Sequence, residues 1–309
     1  MIVKEANTET EYYLTEQKSQ FKKFIEDNES NVYNYRLLFA QTARYEIFFG
    51  KDVLDFSRSQ IISMFEDLGA TASTFEKRYR YLERYFEYFG RKFYELSFDD
   101  LDVYANVRRC NIKDIEEFKH IINNAFKPDD MQTLDIVRKS CLILLYCGVS
   151  KSDIPELLKS DFDEVTKTLN VNTIKVVRHI PLDFIPTLRE CRDIKTYNSV
   201  HPKLGIETRN LQNNQYLIRS DAQRTNDEKC SIVFIDKIFS GDTFNVVDKN
   251  LTPTRVFESG MYYWLYQQEE MEFDSTKFRN LIETYLNKPI KQYQHWFLNY
   301  CAWKRAFGL

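Results

Sequence analysis

The chain has 309 residues, 43% of them hydrophobic and only 8 glycine and 7 proline, which excludes long disordered or collagen-like stretches and allows two domains of ordinary size. No run approaches the roughly 20 apolar residues that span a bilayer, and the polar start Met1-Ile2-Val3-Lys4-Glu5-Ala6-Asn7 does not read as a secretory leader, so a cytoplasmic protein is expected. The formal charge of −3 argues against a uniformly basic nucleic-acid binder.

Residues 11–49 predict helices in which Phe21, Phe24, Ile25, Tyr35, Leu38 and Phe39 recur at three-to-four spacing. Gly50-Lys51-Asp52 breaks that run. A further helix is predicted over 55–68, with Ser57 or Ser59 as N-cap, and another from Ser73 or Thr74 to a C-capping Gly90. This last helix carries Lys77, Arg78, Arg80 and Arg84, with Arg91 and Lys92 following. Residues 77, 80 and 84 share a face. The bland reading is a solvated face opposite a core stripe; the functional one is a row of phosphate contacts.

Ala125 to Gln132, with Lys127-Pro128-Asp129-Asp130, reads as the interdomain linker, giving domains at 1–125 and 126–309. Beyond it are predicted a helix over 134–146, a turn at Gly148, a helix over 152–158, and a hairpin running through Val171 to Leu182. The polar, asparagine-rich segment 193–228 suggests an inserted loop or a loosely packed helix pair. Ile232-Val233-Phe234-Ile235 fits either a strand or the start of a helix. The end of the sequence is basic: 277–309 holds six Lys/Arg against Glu283 alone, whereas 1–70 holds 8 Lys/Arg against 12 Asp/Glu. A surface that DNA would feel within a Debye length of about 8 Å can therefore be basic although the whole is acidic.

The six cysteines are scattered without a C-x-x-C pair and read as buried free thiols. His120, His179, His201 and His295 show no ligand spacing. Neither a metal nor a cofactor is expected.

The run Leu142 to Ile154, with its Gly148-Val149-Ser150-Lys151 turn, then Glu156-Leu157-Leu158 and the hairpin end Arg178-His179-Ile180-Pro181-Leu182, resembles the tyrosine recombinase (phage integrase) family. Residues 55–90 resemble that family's helical, SAM-like core-binding clamp. The resemblance spans nearly the whole chain and implies a mainly α fold of two domains, the second with a small β-hairpin or sheet. It implies a catalytic set of two arginines, a hairpin lysine, a histidine and a tyrosine nucleophile, and here that set is degenerate. The first arginine falls on Ser150, the hairpin lysine on Lys175, the His-x-x-Arg pair on Thr254 and Phe257, and the nucleophile on Tyr300. Arg255 is two residues from the lost arginine, about 200° around a helix.

Phosphoryl transfer depends on cations that stabilise developing charge, so this pattern implies a DNA-binding protein without strand exchange; the alternative is a divergent recombinase that uses Tyr300. A third reading is a helical interaction protein with no DNA role. The candidate DNA contacts are Lys77, Arg78, Arg80, Arg84, Lys151, Lys175, Arg178, Arg255, Lys288 and Lys291. For Tyr300, set among Trp296, Phe297 and Trp303, the competing reading is helix core; for Lys175 and Arg178 it is solvated edge charge. Within the family the chain resembles the recombinase-like lysogeny repressors of SPbeta-type Bacillus phages. That implies a nucleoid-associated prophage repressor whose partner is operator-type double-stranded DNA, with self-association or a small antirepressor protein as further partners.

Overall fold

The computed structural model describes residues 16–28, 32–69, 72–126, 134–201, 205–221, 229–240, 244, 247, 249–269 and 273–309. It is mainly helical, as the sequence suggested, and its described residues form two small antiparallel sheets where one was expected; it divides into two units, Met1–Asn106 and Val107–Leu309.

The first unit is built from α1 (Glu16–Asn28), α2 (Val32–Phe49), α3 (Arg58–Leu68) and α4 (Ala72–Tyr88). Ser57 starts α3 with a reciprocal capping box: it accepts from the Gln60 N–H, and the Gln60 side chain accepts from the Ser57 N–H at 2.9 Å. Gly90 follows α4 in the left-handed region (φ 67°), where its N–H donates to Glu87 O at 2.9 Å and that of Arg91 to Phe86 O at 3.0 Å. The core is strongly aromatic. Tyr85 packs edge-on against Phe21 at 5.0 Å and Phe39 at 4.9 Å. Lys18 of α1 and Glu46 of α2 form a buried ion pair, and Glu46 also accepts from the Val53 N–H at 2.8 Å. Burial raises the Glu46 carboxyl above its ordinary range, while Lys18 opposes that shift.

The second unit contains α6 (Ile115–Ala125), α7 (Leu134–Tyr146), α8 (Ile185–Asp193), α9 (Ile232–Ile238), α10 (Pro253–Gln267), α11 (Ser275–Leu286) and α12 (Tyr293–Phe307), while the short α5 (Ala105–Cys110) straddles the boundary. Helix α7 is buried from Ser140 through Tyr146, which explains its nearly unbroken apolar run. Helix α10 crosses it at Gly260, where a Cβ would lie 1.8 Å from Tyr146 O; only glycine permits that approach. Strands β1 (Phe162–Asp163), β2 (Thr168–Val171) and β3 (Val176–His179) form one sheet in that order, with Leu169 paired to Arg178.

Residues 108–112, at the start of this unit, are strapped down by later elements. Lys249 Nζ donates to Arg108 O at 2.7 Å and Asn111 O at 2.9 Å. From α12, Trp303 Nε1 donates to Ile112 O at 2.9 Å, and Ala306 O accepts from Arg108 at 3.2 Å.

Three sequence expectations change. The division falls at Asn106/Val107 rather than at 125/126, because Phe118, Ile121, Ile122 and Phe126 are buried in the core of the second unit; Lys127 to Asp130 lie outside the described residues. The stretch 152–158 forms only a 3₁₀ turn over Ile154–Glu156. Pro155 lacks an N–H to continue a helix, and Leu157 turns extended so that its carbonyl accepts from Leu217 N–H at 2.9 Å. Much of the polar segment after 193 is a hairpin, β4 (Thr196–His201) paired with β5 (Gly205–Asn210); residues 222–228 lie outside the described residues. The run at 232–235 opens α9, capped by Ser231 through the Val233 N–H.

Candidate nucleic-acid interface

On α4 the outward line runs Glu76, Arg80, Arg84, Glu87 at helical spacing, all exposed. Arg80 has no ion pair among the described residues. Arg84 reaches Glu87 at 3.8 Å and lies over the Phe24 ring at 5.5 Å. Lys77 donates to Asn34 Oδ1 at 3.0 Å and sits 5.9 Å from the Tyr81 ring. Arg78 departs from the expected basic row. It is half-buried, donates to Gly69 O at 3.1 Å, and burial lowers its pKa from the ordinary value. The face is therefore a mixed one, with Arg80 and Arg84 between two acids.

In the second unit, α7 ends in Gly148 (φ 84°), and the chain turns through Val149 to Ser150. The Ser150 hydroxyl donates to Asp153 Oδ2, while Ser150 O accepts from Asp153 N–H at 3.0 Å. A serine at this position thus closes its own turn. Lys151 projects to α9 and donates to Asp236 Oδ1 at 2.8 Å, so its charge is already engaged.

Arg178 corrects the surface reading. It is 7% exposed, because its position on β3 shares the inward face with Ile180. Its Nε donates to Gly148 O at 3.2 Å and Nη2 to Tyr285 O at 2.7 Å, and its guanidinium lies 3.9 Å from the Tyr285 ring centroid. Burial lowers its pKa from the ordinary value, while Tyr285, Cys147 and Asp153 oppose that shift. Arg178 is an internal strut joining the hairpin, the Gly148 turn and the end of α11, with no route to a phosphate while it is so placed.

The hairpin turn carries Lys175, exposed and left-handed (φ 53°). The turn is held from two sides: Asn172 donates to Asp161 Oδ1 at 2.7 Å, and Asn287 donates to Ile174 O at 2.8 Å. Asn287 is the left-handed C-cap of α11, and exposed Lys288 and Lys291 follow it. The structure thus joins Lys175 to Lys288 and Lys291. Asn287 was missed in the sequence although it carried a signal, since asparagine just after an apolar helix and two residues before a proline marks a helix end.

Helix α10 is capped by Thr252, which accepts from the Arg255 N–H at 3.2 Å. Thr254 is exposed, and Phe257 is half-buried against the aromatic cluster of α10 to α12. Arg255 Nη1 meets Glu258 Oε2 at 2.9 Å. Burial raises the Glu258 carboxyl, an effect that Arg255 partly offsets. Tyr300 is 1% exposed and stacks on Trp303 at 5.9 Å. Its hydroxyl donates to Glu269 Oε1 at 2.7 Å, and Glu269 also pairs with Lys304. Burial first, and then Glu269, raise the pKa of this phenol. A nucleophile needs an accessible oxygen poised to lose its proton; Tyr300 has the opposite environment.

Among the described residues no group of histidine, cysteine and carboxylate side chains could hold a metal, and no helix is long and apolar enough to cross a membrane.

The beginning of the chain is similar to a known family of core-binding domains. The matching family model is that of MrpR, N-terminal core-binding domain, over residues 12–91. No curated protein matches the sequence. Solved structures with similar coordinates include XerA recombinase (14% identity, 97% of this chain and 98% of that one, TM-score 0.43). The integrase from mycobacterium phage Brujita shares 9% identity over 93% of this chain and 91% of its own, TM-score 0.40. A lambda integrase dimer, residues 75–356 bound to a COC′ core site, shares 14% over 91% and 93%, TM-score 0.36.

Proposed function

We propose that this chain is a sequence-specific binder of double-stranded DNA, built on a recombinase-like scaffold without strand-exchange chemistry, and that it acts as a prophage transcriptional repressor maintaining lysogeny. The observation that carries the reading is the environment of Tyr300. Its hydroxyl is tied to Glu269 inside an aromatic cluster, and the resemblance to recombinases would put Ser150, Thr254 and Phe257 where cations neutralise a phosphorane. DNA affinity, in contrast, draws on many dispersed phosphate contacts and can persist when a catalytic set is lost. The match of residues 12–91 to a core-binding domain supports DNA as the partner.

The test is to incubate wild-type protein and Tyr300→Phe with sheared phage and host DNA, sequence the bound fragments, and probe for covalent adducts after denaturation. Binding by both proteins at several dispersed promoter-proximal sites, with no adduct, is expected. A covalent adduct that disappears in Tyr300→Phe would restore the divergent recombinase.

A further inference from the structure

We infer that the hairpin turn and the end of α11 form one phosphate-contacting surface, made of Lys175, Lys288 and Lys291 and held in register by Asn287. The inference rests on the DNA-binding reading above and adds where, on the second unit, the duplex backbone is gripped.

Two independent observations carry it. One is the juxtaposition: the Asn287 side chain holds the carbonyl of Ile174 at 2.8 Å, so Lys175 and Lys288, each the next residue along, lie on backbones fixed side by side. Arg178 reinforces the same contact through Tyr285 O at 2.7 Å. The nearby carboxylates do not neutralise the lysines. Asp161 accepts from Asn172 and from the Leu158 N–H, and Glu283 accepts from Arg279 at 3.0 Å and the Ile290 N–H at 2.9 Å. Lys175, Lys288 and Lys291 are exposed, with no ion pair among the described residues.

The second observation is conformational. Lys175 sits at φ 53°, a region that a lysine side chain enters at a cost and that glycine or asparagine would fill without one. A strained residue at the tip of a well-anchored turn points to a role for its side chain. Its amine is neither packed nor paired, so that role lies outside the molecule. Three unneutralised ammonium groups on a polar surface fit a phosphate backbone better than an apolar or cationic partner.

The experiment is anisotropy of a labelled, arbitrary-sequence duplex of about 30 bp with the full chain, from about 50 to about 300 mM salt. Relative to wild type, Lys175→Gln/Lys288→Gln/Lys291→Gln should lower the log–log salt slope by about 2 to 3. Lys175→Gly alone should lower it by about 1 while melting no lower than wild type, since strain is relieved. Asn287→Gly, which keeps the left-handed cap but frees the turn, should weaken binding with every lysine present. A wild-type slope retained by the triple variant would overturn the lysine surface and leave the DNA reading intact. Failure of the wild type to bind any duplex at the lowest salt would overturn both.

Discussion

The Tyr285 hydroxyl lies 2.0 Å from where a Cβ on Gly148 would be. The helix α11 side chain therefore occupies the space that the glycine turn after α7 leaves open, and the left-handed φ of 84° independently requires glycine there. Gly148→Ala is expected to destabilise the second unit by about 2 to 4 kcal/mol, combining backbone strain with overpacking. Adding Tyr285→Phe removes the nearest atom and should recover part of the loss. Chemical denaturation of the single and double variants checks this; equal stability of Gly148→Ala and wild type would contradict the packing.

Arg178 separates a structural from a surface role. Arg178→Met strips donors from the carbonyls of Gly148 and Tyr285, and a loss of about 2 to 4 kcal/mol is expected. At a temperature where the variant remains folded, Asn287 still holds the hairpin turn through Ile174 O, so the DNA salt slope should equal that of wild type. An arginine in contact with phosphate would show the reverse pattern, with unchanged stability and a slope lower by about 1.

On α4, Arg80→Ala/Arg84→Ala should weaken duplex binding and reduce the salt slope by about 1 to 2. The flanking acids give the complementary prediction: Glu76→Gln/Glu87→Gln should tighten binding. If both double variants leave affinity and slope unchanged, α4 does not face the duplex.

Buried thiols predict alkaline behaviour. Burial raises Cys147 and Cys230 to about 12 and Cys191 to about 11, from an ordinary 9.0. These folded values exceed the unfolded ones, so the unfolded chain loses thiol protons first. The stability is fully present below pH 9 and is lost as the pH rises toward 11 to 12; raised phenols such as Tyr285 act in the same direction. Denaturation midpoints should be flat from about pH 7 to 8.5 and fall above it. In the native protein near pH 8.5, iodoacetamide should spare the buried Cys191 and Cys230; their rapid alkylation would show that the core opens readily.

The parts of this molecule legible in its sequence were those governed by local physics. The aromatic periodicity of α2 and α4, the Ser57 cap, the Gly90 stop and the α7–Gly148 turn each follow from spacing or from a residue's own backbone preference. The burial of Tyr300 was present only as the bland alternative, because its environment is made by Glu269 and Phe273, far away in the chain. Arg178 was misplaced for a related reason: alternation along β3 puts it on the inward face, but a charged residue in a four-residue strand reads as an edge residue until Tyr285 is seen beneath it. The β4–β5 hairpin escaped because its alternation is carried by polar side chains such as Thr208 and Asn198, which pair with each other at 3.0 Å rather than with a core. The domain division was displaced because helix α6 has the same amphipathic pattern whichever unit receives its apolar side.

The strap across residues 108–112 places a constraint on how the chain matures. Its partners, Lys249, Trp303 and Ala306, are all synthesised long after the segment they fasten. During translation the first unit can complete its core while the ribosome is still making the second. The second must wait, with Ile112 and Trp303 unjoined, until α12 has cleared the exit tunnel. For that interval its apolar helix α7 has no finished shell around it, so the core of the second unit closes only when the last of its helices arrives.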